Sequence, residues 1–191
     1  MCHICLEVLN LVRNSSCTLP DTIGKLSSSK EFSVGYNKLS HLPSEIRDLD
    51  SLETLELRCH KGFRALQESI CKLVRLRELR LYDCNLSHLP SGSGGLVSLG
   101  YLNIGQNNIC TIANSISNLP CLKNISLTNC AKLRSLPKLP TRLVDAVRCP
   151  SLENLPLGFD QLPGKVDCLE PNKLVDNNFL TSLLKQRTPQ E

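Results

Sequence analysis

The chain has 191 residues, 41% of them hydrophobic, with no Trp, three Tyr and four Phe, so leucine dominates its apolar set. A core of unlike side chains fills irregular space, whereas one side chain used throughout points to one small packing problem solved many times. A net charge of +4, from 22 basic and 18 acidic residues, argues against the strongly basic face of a nucleic-acid binder, and no run of 18 apolar residues is present to cross a membrane as a helix.

Met1 to Leu11 lacks the basic segment, apolar stretch and small-residue cleavage site of a secretory leader. Cys2 and Cys5 form a C-x-x-C around His3. A metal reading would need a second ligand pair at suitable spacing, and none follows. No metal site is assigned, and the role of these three residues stays open.

From Leu6 onward the pattern L-x-x-L-x-L recurs, starting at Leu6, Ser29, Leu52, Leu76, Leu99 and Leu122, with spacings of 23, 23, 24, 23 and 23 residues. This is the period of a leucine-rich repeat. The apolar series are Leu6, Leu9, Leu11; Phe32, Val34; Leu52, Leu55, Leu57; Leu76, Leu79, Leu81; Leu99, Leu102, Ile104; and Leu122, Ile125, Leu127. Their period of two predicts a short strand in each unit with one face inward. Three residues after the last apolar position comes a turn slot, held by Asn14, Asn37, His60, Cys84, Asn107 and Cys130, with Cys149 in the same role further on. Asn there can bond backbone groups that the turn would otherwise bury unpartnered, and Cys is small enough to replace it as a weak donor. In the third unit either His60 or its neighbour Cys59 could fill the slot.

The return half of each unit is also regular. Leu19-Pro20, Leu42-Pro43, Leu89-Pro90 and Leu136-Pro137 carry the chain outward, where proline suits a non-sheet arm. The pairs Ile23/Leu26, Ile46/Leu49, Ile70/Leu73 and Ile116/Leu119 then point inward from short helical or 3₁₀ turns. Ser91 to Gly95 reads as a looser version of that arm. After Leu136 the spacing shortens, and a less ideal seventh strand is expected around Leu143 to Val147, with Leu152, Leu155 and Pro156 opening its return arm. The expected fold is an α/β leucine-rich-repeat solenoid: a curved parallel sheet of about seven strands on the concave face, with irregular and 3₁₀ segments on the convex face. Residues 1–156 form the solenoid and 157–191 a post-repeat segment, in which 178–186 could form a short helix.

The string Cys130, Leu133, Leu136-Pro137, Leu139-Pro140, Asp145-Ala146, Cys149-Pro150-Ser151-Leu152-Glu153 and Leu155 resembles the closing repeat of plant intracellular immune receptors. These are the Toll/interleukin-receptor-type nucleotide-binding leucine-rich-repeat disease resistance proteins. The segment CLEPNKLVDNNF from Cys168 resembles the start of their post-repeat region. The interval from Pro140 to Cys149 is shorter than the family shows. No stretch resembles the receptors' NAD-cleaving domain, and no G-x-x-x-x-G-K-[ST] loop is present to hold nucleotide phosphates. The resemblance therefore implies recognition, without cofactor and without catalysis.

No nucleophile and base pair off. His41 and His88 occupy equivalent slots before the L-P step, so repetition accounts for them. The basic run Lys132, Arg134, Lys138, Arg142 and Arg148 reads as a solvated rim. The variable strand positions are the candidate surface, expected as columns of Glu31, Ser33, Tyr36; Glu53, Glu56, Arg58; Arg77, Arg80, Tyr82; Tyr101, Asn103, Gln106; and Lys123, Ser126, Asn129. Glu56, Arg58, Arg80, Tyr82, Tyr101 and Asn103, mid-stack, are the candidate protein-binding residues, because Tyr and Arg are frequent interface anchors.

Three readings follow: a protein-recognition module of a plant immune receptor, meeting a pathogen effector or sister domains; a stand-alone intracellular repeat scaffold; and an extracellular receptor fragment. Eleven cysteines without a local pairing pattern suit a reducing compartment, cytoplasmic and also nuclear. Asn14, Asn85 and Asn124 lie in N-x-[ST] triplets that a secreted form would expose.

Overall fold

The computed structural model describes residues 5–63, 65–140 and 143–153 and the backbone of 166–167. The expected helix at 178–186, the arm at Leu155-Pro156, the string from Cys168, and Cys2, His3 and Arg142 lie outside the described residues.

Each apolar series forms a three-residue strand: β1 (Val8–Asn10), β2 (Glu31–Ser33), β3 (Thr54–Glu56), β4 (Glu78–Arg80), β5 (Tyr101–Asn103), β6 (Asn124–Ser126) and β7 (Leu143–Asp145). They pair in sequence order, all parallel, with the central positions Leu9, Phe32, Leu55, Leu79, Leu102, Ile125 and Val144 aligned. The shortened last interval still delivers β7 into the same register. A two-residue strand β8 (Val166–Asp167) extends the sheet against β7, in a stretch where the sequence shows no repeat.

Opposite the sheet, five-residue 3₁₀ turns form the return arms: Asp21–Lys25, Ser44–Asp48, Glu68–Lys72, Ser91–Gly95 and Asn114–Asn118. Four follow the prediction in placing one isoleucine inward, Ile23, Ile46, Ile70 and Ile116. Parallel strands sit about 4.8 Å apart. The arms are bulkier than strands, so the sheet lines the inside of the curve. Between the layers lies one continuous core in which Leu52, Leu55, Leu57, Leu76 and Leu81 are fully buried. Ser29, the one polar start position, is buried too, and its hydroxyl donates to the Leu6 carbonyl at 2.6 Å.

The arm Ser91–Gly95 is not looser than the others. Glu68, one repeat earlier, accepts from the Ser91 amide at 2.9 Å, the Ser91 hydroxyl at 2.8 Å and the Gly92 amide at 3.1 Å. Those bonds hold its carboxyl below the usual range. The glycines permit close stacking: a Cβ at Gly95 would stand 2.9 Å from the Cys71 carbonyl oxygen.

Candidate functional site

One residue before each turn slot, the chain passes through left-handed backbone: Arg13, Tyr36, Cys59, Asp83, Gln106, Asn129 and Arg148 have φ between 55° and 61°. Such a conformation costs a non-glycine residue about 1–2 kcal/mol. What it achieves is visible one residue later, where the slot side chain turns inward. Asn37 donates to the carbonyls of Leu11 at 2.8 Å, Val34 at 2.7 Å and Gly35 at 3.1 Å, and accepts from the Ser16 amide at 3.0 Å. Asn107 repeats this with Leu81, Ile104 and Gly105, and accepts from the amides of Cys84 and Leu86.

In the cysteine slots a thiol donates to the carbonyl of the residue just after a strand of an earlier repeat: Cys84 to Leu57, Cys130 to Ile104 at 3.3 Å and Cys149 to Leu127 at 3.2 Å. Burial pushes the Cys84 thiol up to about 12 and raises Cys130 as well. Neither is a nucleophile near neutral pH. Asn14 differs. It is exposed and makes one weak bond, to Val12 at 3.4 Å.

The choice between His60 and Cys59 is settled by the same turn. Cys59 takes the left-handed position and stays partly exposed, while His60 is fully buried. The imidazole packs against the Phe63 ring, centroids 5.3 Å apart. Neither ring nitrogen has a hydrogen-bond partner. Desolvation therefore lowers its pKa from 6.5, and the carbonyls of Val34 and Asn37 nearby offset this only in part. His41 and His88 sit at the surface, each ring 3.0 Å or 2.9 Å from the hydroxyl of the preceding serine. Among the described residues no group of His, Cys, Asp and Glu is arranged to hold a metal ion, and the cysteines form no disulfide.

On the concave face the register corrects the expected columns. Glu31, Thr54, Glu78, Tyr101 and Asn124 align in one, and Ser33, Glu56, Arg80, Asn103, Ser126 and Asp145 in the next. Tyr36, Gln106 and Asn129 leave the face for the left-handed turn, where Tyr36 lies under the Arg13 guanidinium at 5.2 Å. Glu53, Arg77 and Lys123 stand one residue ahead of their strands. With strands only three residues long, a leucine spacing leaves the outer positions uncertain by one. Glu78 and Thr128 were missed for that reason, and Asp145 because the expected columns stop at the sixth unit, whereas β7 carries the face one strand further.

The six candidate residues are brought together on three adjacent strands and, for Arg58 and Tyr82, just after them, and most are bonded to one another. Glu56 accepts from Arg58 at 3.0 Å and from Arg80 at 3.5 Å, and Arg80 also reaches Glu78 at 2.5 Å. Tyr82 donates its hydroxyl to Gln106, and Asn103 donates to the Tyr101 hydroxyl at 3.3 Å. Further along, Asp145 accepts from Thr128 at 2.8 Å and from Ser126 at 3.3 Å. The face is thus a preordered polar platform, charged over β3 and β4 and hydroxyl- and amide-rich from β5 onward. Among the described residues no helix is long and apolar enough to cross a membrane.

Comparison with known proteins agrees with this geometry. A family model described as a leucine-rich repeat region matches residues 3–132. The chain is 34% identical over 153 residues to TMV resistance protein N of Nicotiana glutinosa, covering 65% of this chain and 13% of that protein. It is 45% identical over 83 residues to disease resistance-like protein DSC1 of Arabidopsis thaliana, covering 42% of this chain and 7% of the relative. Among solved structures, the leucine-rich repeat domain of the type III effector XopL superposes with a TM-score of 0.72 at 27% identity, over 78% of this chain and 54% of that one. The chain thus spans about an eighth or less of the length of these curated relatives.

Proposed function

Because the chain belongs to the leucine-rich-repeat family and is related to plant disease-resistance proteins as well as to other leucine-rich-repeat proteins, we propose that it is the protein-recognition module of a plant innate immune receptor. The family's fold is a protein-interaction scaffold and not a catalytic one. In this reading the module works in the cytoplasm, and also in the nucleus. It contacts a pathogen effector or the sister domains of its own receptor through the concave face.

The observation that carries the reading is the platform itself. Glu56, Arg58, Arg80, Tyr82, Tyr101 and Asn103 lie on neighbouring strands or just after them, already ordered by bonds to one another and, for Tyr82, to Gln106. Preordered side chains lose little freedom on binding, which favours affinity. The mixture of charge, amide and aromatic ring suits a polar protein surface. Likeness to a repeat domain outside plant disease resistance, that of a type III effector, keeps a second reading, a repeat scaffold in another setting such as a stand-alone intracellular protein. A nucleotide-binding domain encoded upstream in the same gene selects the first, and its absence selects the second.

Binding is tested by replacing Arg80 and Tyr82 together with Ala. The pairs lost are partly exposed, so stability should fall by about 1 kcal/mol or less. Partner affinity should fall by about 2 kcal/mol or more if both are hot spots. Leu81→Ala, between them in sequence but fully buried, should instead destabilise the fold by about 2–5 kcal/mol through its cavity. Titration showing unchanged affinity in the Arg80/Tyr82 variant removes the concave centre from consideration.

A further inference from the structure

Each 3₁₀ arm ends on a leucine turned toward the core, and the residue after it starts the way back to the next strand: Ser27, Asp50, Val74, Val97 and Pro120. The first two are polar and the last three apolar, so the fold itself does not require an apolar residue there. All three apolar ones face water, with Val74 52% and Val97 45% exposed. Recurring at equivalent places of consecutive units, they form a row rather than the scattered single residues of an ordinary surface.

Beside this row the surface opens into a groove lined by Gly100, Tyr101, Pro120, Cys121 and Leu122, with Ser98 and Asn124 as its uncharged polar members. Pro120 belongs to both row and groove, and Ser98 follows Val97 in the chain. Gly100 stands where other units carry Glu7, Lys30, Glu53, Arg77 and Lys123. Nothing in the backbone demands that glycine. Its φ is outside the left-handed region, and a Cβ added there would meet its nearest atoms, the carbonyl oxygens of Arg77 and Cys121, only at 3.7 Å. The charged groups that reach the groove are all engaged: Arg77 with Glu53 at 3.2 Å and Glu78 with Arg80 at 2.5 Å, and Lys123 has a partner too. A charged group entering from outside would shed its water there without a free counter-ion, a cost that an uncharged one avoids.

We propose that this groove seats an uncharged, apolar side chain of the protein partner. The side chain fills the space that Gly100 leaves and rests against Tyr101 and Pro120, while the adjoining partner residues lie along Val97. The inference rests on the recognition reading and adds to it where an anchor sits and what chemistry it has. Tyr101 joins the groove to the concave platform, so one partner can meet both. Charge matching selects the occupant: a groove whose own charges are already answered gains most from an apolar group, and a recessed apolar contact rimmed by polar groups is the usual form of an interface anchor.

The test uses the full chain and a random-peptide phage library as the probe. Peptides selected on the parent should be enriched in aromatic and aliphatic residues. Their affinity should change by about twofold or less between about 0.05 and 0.5 M salt, because screening leaves an uncharged contact alone. They should lose affinity by about tenfold or more on Gly100→Gln, which fills the groove without adding charge, and on Val97→Asp, a loss expected of hot-spot contacts. Both substitutions introduce what other units already carry, since Asp50 holds the Val97 place and long side chains hold the Gly100 place. Circular dichroism and urea melts check each fold, and either variant carries the comparison should the other fold poorly. Peptides that bind a folded variant of the two as tightly as the parent, or whose affinity collapses with salt, overturn the groove. If those same peptides are lost on the Arg80/Tyr82 double variant, the concave reading survives without the groove. If no variant weakens them, or if the library yields no binder, both fall.

Discussion

Replacing Asn107 with Ala probes how much of the stability resides in the turn slots. The side chain is 4% exposed. Its carbonyl oxygen accepts from the amides of Cys84 at 3.1 Å and Leu86 at 2.9 Å, and its amide donates to the Leu81 carbonyl of the preceding repeat at 2.8 Å. Ala leaves both N–H groups facing an interior with no acceptor. The Leu81 carbonyl also loses its donor, and each buried group stranded in this way costs about 1–3 kcal/mol, so three give roughly 3–9 kcal/mol. The Ile104 carbonyl keeps a donor, the Cys130 thiol at 3.3 Å, and adds little to that sum. Asn107→Cys should recover about 1 kcal/mol, because its thiol can donate to Leu81 as Cys84 does to Leu57, while the two amides stay unanswered. Urea unfolding followed by circular dichroism measures both. A loss below about 1 kcal/mol for Ala, or a Cys variant no more stable than Ala, would refute the slot as a source of stability.

Acid should expose His60 as a weak point. Its folded pKa is lowered from 6.5 by burial, so the unfolded chain takes up the proton first as pH falls. The stability of the neutral, buried form is complete above pH 6.5 and is lost as pH drops below that value toward the depressed folded pKa, at up to about 1.4 kcal/mol per pH unit. His60→Asn, the residue found in the preceding slot at Asn37, should flatten that part of the urea-stability profile. Equal slopes in parent and variant would contradict the assignment. In the fourth arm Ser93 stands where other arms carry isoleucine, beside a small apolar cavity of about 10 Å³ lined by Ile70, Leu96 and Ile116. The Pro90 carbonyl that accepts its hydroxyl also accepts its backbone amide. Ser93→Val should therefore stabilise by about 1 kcal/mol, and a lower urea midpoint would show that the site cannot take the extra carbon.

Much of this architecture is local in origin. A unit of 23 or 24 residues touches only its neighbours, so the leucine period and the slot three residues later determine strand, turn and core without reference to distant parts of the chain. Leu55, Leu79 and Leu102 stack as their spacing requires, and so do the isoleucines of the arms. What the tertiary structure decided involves the unit next door. Whether Cys59 or His60 turns inward depended on which residue took the left-handed turn, and both are adjacent in a sequence that treats them alike. Ser91–Gly95, flexible by composition, is held as a 3₁₀ turn by a carboxylate 23 residues earlier. The surface columns needed the pairing register, because a side chain's neighbours on a parallel sheet belong to other repeats and a shift of one residue changes all of them.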